Sequence, residues 1–203
     1  MKIAIIGAGN VGGALARNFA AKGHQILLGL RDTQDPGLKK NWPGEAFHFH
    51  SPAEAARQAE VIIMALPVPA IVPVLESLGD LSGKVAIDAT NSVFAKPAPY
   101  ASGYEALKTI NGADAIKCFN TTGFENMQNP AYGDTAIDMF IAGGSEKAKA
   151  TASQLAREAG FGAVYDFGGE DKVALIESFA LAWINLAIMQ KEGRDIAFKV
   201  LHR

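Results

Sequence analysis

Short, fully apolar runs alternate along this chain with Ala-rich stretches whose apolar positions recur every three or four residues. The first pattern predicts strands buried on both faces, and the second predicts helices laid against them. Their alternation predicts an α/β fold, Rossmann-like and doubly wound, with a mostly parallel sheet and a short C-terminal helical extension. The expected order is a strand over residues 2–6, a helix over 11–22 closed by Gly23, and a second strand over 25–30, "QILLGL". "EAFHFH" supplies a third strand, and Ser51 with Glu54 forms a capping box that opens the helix "PAEAARQA". "VIIMAL", ending at Pro67, then "VAIDAT", "AIKCFNT" and "AIDMFIA" continue the strands to a seventh. "GGSEKAKATASQLAREAG" reads as a capped helix, "AVYDF" as an edge strand, and residues 171–191 as one long helix before the ending "GRDIAFKVLHR". Residues 1–165 are expected to form an NAD(P)-binding body, with 166–203 a helical tail packed on it as one compact unit.

Composition narrows the partners. The 203 residues include 19 basic and 21 acidic side chains, a net charge of −2, so no charge surplus exists to attract nucleic acid or an anionic membrane. The apolar run in "MKIAIIGAGN" is too short for a signal-peptide core. "VALIESFALAWINLAIM" is interrupted by Glu177, Ser178 and Asn185 and reads as a buried helix rather than a membrane span. Cys118 is the single cysteine, expected as an inert thiol in an apolar strand. A cytoplasmic protein follows, with a small-molecule partner, no nucleic-acid or membrane partner, and homo-oligomerisation through the apolar last helix.

The candidate chemistry begins at "IIGAGNVGGALA". Gly7, Gly9 and Gly12 stand as G-x-G-x-x-G between an apolar strand and a helix. In that setting the first glycine permits the tight turn, the second admits the pyrophosphate and the third lets helix and strand pack closely. Gly7, Ala8, Gly9, Asn10, Val11 and Gly12 are therefore candidate cofactor contacts, with the helix N-terminus receiving the anion. The ribose discriminator is expected about 20 residues on, and Leu30, Arg31 and Asp32 all fall near that distance. The apolar run stops at Leu30, so Arg31 opens the loop, where a guanidinium can fork onto a 2′-phosphate. That favours NADP; a ribose-binding Asp32 would favour NAD, which stays open. Three further strand ends turn abruptly polar or prolyl: Leu66 and Pro67, Thr90 and Asn91, and Asn120 with Thr121 and Thr122. Ligands collect at such carboxyl ends, and Leu66, Pro67, Asn91, Asn120 and Thr121 join the candidate cofactor site.

No acid–base constellation stands out, and no catalytic residue or metal ligand is assigned. His24 reads as structural, and His48 and His50 share a strand face without a third ligand. Glu125, Asp166 and Glu177 read as caps or solvated helix positions. Phe179, Trp183 and Met189 have the spacing of packing residues on the last helix.

The blocks "IIGAGNVGGALA", "LLGLRD", "ALP" and "KCFNTTGFENM", with the ending "NLAIMQKEGRDIAFKVL", resemble the family of coenzyme F420-dependent NADP oxidoreductases across essentially the whole chain. The resemblance implies a single Rossmann body and hydride exchange between NADP(H) and a deazaflavin, F420, or a flavin-like acceptor. It implies pyrophosphate contacts at Gly7, Gly9, Asn10 and Val11, a 2′-phosphate contact at Arg31, and nicotinamide contacts at Pro67, Asn120 and Thr121. The chain departs from the family at Leu30, where a hydroxyl residue is usual, at Asp32, and at "FNTT", where the family carries a histidine-containing stretch. Two alternatives stand beside this one: a reductase of small imines or hydroxy acids, which would need a larger helical domain, and a non-catalytic NADP(H)-sensing module.

Overall fold

A computed structural model describes residues 1–203. The elements run β1 (Lys2–Ile6), α1 (Asn10–Ala21), β2 (Gln25–Gly29), α2 (Leu38–Asn41), β3 (Phe47–His50), α3 (Pro52–Gln58), β4 (Val61–Met64) and α4 (Val68–Leu78). There follow β5 (Val85–Asp88), α5 (Gly103–Asn111), β6 (Asp114–Lys117), α6 (Phe124–Gln128), the hairpin β7 (Ala131–Tyr132) and β8 (Thr135–Ala136), β9 (Met139–Ile141), α7 (Glu146–Glu158) and β10 (Val164–Asp166). The chain then passes through a 3₁₀ turn (Glu170–Lys172), α8 (Val173–Ile184) and a π-helical turn (Asn185–Met189).

Six parallel strands in the order β3-β2-β1-β4-β5-β6 form the sheet. The strand order reverses between β1 and β4, which makes the space above their carboxyl ends the topological switch point. The central strands are apolar on both faces, as burial between two helix layers requires. Ile3, Ile5, Ile26, Leu28, Ile63 and Ile87 face α1 and α7, whereas Ala4, Ile6, Leu27, Ile62 and Met64 face the layer of α3, α4, α5 and α8. Helix starts follow their capping residues: Ser51, Ser102 and Ser145 each accept a hydrogen bond from the amide three residues on.

Several expectations are corrected. Glu54 does not complete the capping box; its carboxylate binds Arg57 and Gln58 instead. "AIDMFIA" is not a seventh strand of the main sheet. Its middle forms β9, which pairs in parallel with β10, and its end touches β6 through one antiparallel bridge, Lys117 to Ala142. The pattern places no helix over α4 or α5. Pro69 and Pro73 obscure the first, and Pro73 lies inside it on its exposed side. The long terminal helix is three short helical segments in sequence, and only one side is buried. Together they run twenty residues, Glu170–Met189, long and apolar enough to cross a membrane by length and composition alone. Met189 is 50% exposed, so the packing role expected for it is not observed, while Trp183 is buried and Phe179 packs against Phe140 and Phe198.

Candidate dinucleotide site

The glycine loop joins β1 to α1 at the switch point. Gly7 has φ +100°, and a Cβ there would stand 2.5 Å from the Ala65 carbonyl oxygen beyond β4. Only glycine fits both the turn and that contact. At Gly12 a Cβ would lie 1.9 Å from the Gly7 carbonyl oxygen, so helix and strand approach as closely as backbones allow. Gly9 is the opposite case: it is exposed, has an ordinary φ of −71°, and a Cβ would meet nothing within 4 Å. That open space lies at the first turn of a twelve-residue helix with no acidic residue in that turn and no side-chain cap. The amides of Asn10 and Val11 in the first turn have no helical partner and a positive dipole end behind them. A pyrophosphate fits there.

At the tip of β2 the amide of Leu30 donates to the His50 carbonyl at 2.9 Å, which holds the turn into the following loop. Arg31 is exposed and belongs to none of the chain's ion pairs. Asp32 is exposed as well, but its Oδ1 accepts the Gln34 amide at 2.8 Å. The carboxylate thereby shapes its own loop, and the guanidinium is the free charge.

On the other side of the switch point, Leu66 reaches the phosphate loop, with Cδ2 3.1 Å from the position a Gly7 Cβ would take. Pro67 is exposed and precedes α4. The ends of β5 and β6 are joined by a reciprocal pair. Asn91 Nδ2 donates to the Asn120 carbonyl at 2.9 Å, and Asn120 Nδ2 donates to Asn91 Oδ1 at 3.0 Å. Asn120 Oδ1 and Ser92 Oγ are buried without a partner. Phe119, just before Asn120, holds φ +62°, a left-handed conformation unusual for a bulky residue and a mark of functional loops. Thr121 is buried, while Thr122 Oγ1 accepts from Asn126 at the start of the tail's docking surface.

Sequence reasoning missed two features. Glu177 is no solvated helix position: its carboxylate is buried against Lys117 Nζ at 2.7 Å, and Lys117 also contacts Asp88 Oδ2 at 2.8 Å. The signal was present as single charges inside the apolar runs "VAIDAT", "AIKCF" and "VALIESFALAW". Glu125 caps nothing; it forms a two-pronged pair with Arg194, whose guanidinium lies over the rings of Phe124 and Trp183. Trp183 Nε1 and Asn126 Nδ2 both donate to the Ile196 carbonyl, so the C-terminal tail is tied to α6 beside the β6 end. Asp166 behaves as expected of a surface carboxylate, paired with Lys149. A cavity of about 420 Å³ lies between α5 and α8, and neither the glycine loop nor Arg31, Asn91 or Asn120 lines it.

A glycine loop at the switch point, an anion-ready helix start and polar strand ends beyond it define a nicotinamide-dinucleotide oxidoreductase of the Rossmann class. Over residues 2–92 the chain matches the model of the family described as NADP oxidoreductase, coenzyme F420-dependent. Beyond that segment, similarity runs nearly end to end with the F420-dependent NADP reductase of Methanothermobacter thermautotrophicus, at 25% identity over 94% of this chain and 91% of that one. A solved structure from Arthrobacter sp. FB24, provisionally described as an F420-dependent NADP-reductase, superposes with a TM-score of 0.86 at 26% identity, covering 100% of both chains. The reductive aminase of Aspergillus terreus, solved with NADPH and ethyl-5-oxohexanoate, shares the fold at a TM-score of 0.68 and 19% identity, and this chain spans 62% of its length.

Proposed function

We propose that this chain transfers a hydride between NADP(H), held across the carboxyl ends of the sheet, and a deazaflavin of the F420 type. The observation that carries the cofactor choice is the unpaired Arg31 beside an Asp32 already committed to the Gln34 amide. In this reading the amides behind Gly9 hold the pyrophosphate, Arg31 forks onto the 2′-phosphate, and Asn120 Oδ1 accepts from the carboxamide. Residues 1–165 bind the dinucleotide, and 166–203 brace the β5 and β6 ends.

The nicotinamide, when bound, supplies the carbon that gives or receives the hydride. The chain's own part is to hold two rings close and aligned and to keep water from between them, and such positioning can supply most of the acceleration. No proton donor at the ring is required, which agrees with a site built from amides, hydroxyls and apolar side chains. The family relatives favour F420 over the imine and hydroxy-acid alternatives, whose structural representative is much longer than this chain.

Titration of the protein with NADPH and NADH, in wild type and in Arg31→Ala, tests the cofactor reading. A strong NADPH preference lost in the variant supports it, and equal binding of NADH refutes it. Reduction of F420 by NADPH then tests the acceptor; bound NADPH that no deazaflavin, flavin or imine oxidises points to the sensing role instead. We further place the protein in the cytoplasm as a homodimer through the exposed apolar side of α8 and the π turn, where Leu175, Leu186, Ile188 and Met189 are uncovered. Sedimentation as a monomer at micromolar concentration would refute the dimer.

A further inference from the structure

Lys117 is fully buried, and its ammonium is spent on three acceptors from two other parts of the chain: Asp88 Oδ2 at 2.8 Å, the Thr90 carbonyl at 2.7 Å and Glu177 Oε1 at 2.7 Å. The rest of the cluster is equally directional. Asp88 Oδ1 accepts both the Thr90 amide at 2.9 Å and the Thr90 hydroxyl at 2.7 Å, and Glu177 Oε1 also accepts the Ser92 amide at 3.3 Å. The backbone is therefore fixed on both sides of Asn91, whose side chain is turned to the Asn120 carbonyl. On the neighbouring strand, Lys117 exchanges backbone hydrogen bonds with Ala142 at 2.9 and 3.2 Å, and two residues later Phe119 takes its left-handed conformation ahead of Asn120.

A buried ion cluster is a poor way to gain stability, since apolar side chains of the same volume do as well or better. What it provides is direction. Its bonds to Thr90 and Ser92 flank Asn91 at the β5 end, and Lys117 itself stands three residues before Asn120 on β6; both ends lie on the β4-β5-β6 half of the sheet, where the nicotinamide half of a dinucleotide sits. Two buried polar atoms there, Asn120 Oδ1 and Ser92 Oγ, have no partner within the chain, and atoms of this kind take a water or a ligand group. A primary carboxamide offers N–H donors and a carbonyl acceptor to match them.

We propose that Lys117, gripped by Asp88 and Glu177, is a positioning residue that sets Asn91 and Asn120 for the nicotinamide end of the cofactor while leaving its adenosine end untouched. This rests on the dinucleotide reading above. The test reads the two ends separately in Lys117→Met: the dissociation constant of NADPH follows mainly the phosphate grip, and the fluorescence lifetime of the bound dihydronicotinamide follows how firmly its ring is held. The expected result is a dissociation constant within threefold of wild type and a loss of at least half of the lifetime increase that binding gives in wild type. Should Lys117→Met fail to melt cooperatively, Glu177→Ala is read in the same way, with Glu177→Gln, which keeps an acceptor for Lys117, restoring most of the wild-type lifetime. An unchanged lifetime in a folded variant overturns the proposal. So does a tenfold weaker binding that accompanies the lifetime loss, because the effect is then global. A wild type that binds NADPH without any lifetime increase also overturns it and leaves the dinucleotide reading standing, whereas a wild type that binds no NADPH ends both.

Discussion

Substituting two glycines of one loop should separate cofactor binding from folding. At Gly9 a valine has room: its Cβ meets no atom within 4 Å and φ is −71°, so folding loses only the helix-start preference for glycine over valine, about 1 kcal/mol or less. The isopropyl group would instead fill the space in front of the Asn10 and Val11 amides. Losing two hydrogen bonds to an anionic phosphate, each worth about 1.5–3 kcal/mol, costs at least about 3 kcal/mol of binding. That is a rise of about 100-fold or more in the NADPH dissociation constant. At Gly12 the expectation reverses, because an alanine Cβ would lie 1.9 Å from the Gly7 carbonyl oxygen and 3.2 Å from the Ala65 Cβ. Overpacking of backbone against backbone costs about 3 kcal/mol. At about 2–4 °C per kcal/mol for a chain of this size, Gly12→Ala melts about 6–12 °C lower. Thermal unfolding and nicotinamide fluorescence, measured on both variants, form the assay. Gly9→Val with wild-type affinity refutes the phosphate-loop assignment, and Gly12→Ala with a wild-type melting temperature refutes the close helix–strand approach.

Three further outcomes are expected. Arg31→Ala should weaken NADPH by about 10- to 100-fold, the worth of one charge-assisted contact, and leave NADH within a few-fold of its starting value; equal losses for both cofactors would contradict the 2′-phosphate role. Asp138 is desolvated by burial, which alone would raise its pKa, but the Val200 and Ala163 amides and the Lys199 ammonium outweigh that and hold the carboxyl below its ordinary value. A depressed folded pKa contributes stability that is complete above the unfolded value, about 4, and is lost as pH falls through the folded one. The stability gap between wild type and Asp138→Asn should therefore shrink on acidification below about pH 4, and a gap that widens in denaturant titrations would contradict the assignment. Burial pushes the Cys118 thiol well up, so a thiol reagent at pH 8 should label it only as the protein unfolds; prompt labelling of the folded chain would show an opening at the β6 end.

The strand cores were legible because burial on both faces leaves apolar runs, and β1 falls where the pattern puts it. The strand ends were not, since apolar residues continue past the last paired position of the strand for a different reason. Ala65 and Leu66 follow β4 as apolar residues; the Ala65 amide still donates to the Ile6 carbonyl at 2.9 Å, but its own carbonyl and the Leu66 side chain close against the glycine loop. Cys118 and Phe119 extend the β6 run, but the left-handed turn at Phe119 ends it. "AIDMFIA" alternates like a strand of the main sheet, although Asp138 within it is engaged by the Ala163 and Val200 amides and the segment pairs with β10. Propensity cannot distinguish these cases, because the deciding partner is distant in sequence.

The candidate site divides along the same line. Its phosphate half is local: three glycines, a helix start and the β2 tip lie within thirty-odd residues, so spacing alone brings them together. Its other half is assembled from β5, β6 and α8, and the group that joins them announces itself only as three isolated charges, Asp88, Lys117 and Glu177, in runs that ought to be apolar. A charge in such a run either disproves the strand or helix or has a partner in another one. Three such charges, two acidic and one basic, in elements whose ends meet at the same edge of the sheet satisfy the second condition together. The sequence thus contained the pairing as a matter of opposite charges in apolar runs, while its consequence, a fixed loop on either side of Asn91, needed the hydrogen bonds to be seen.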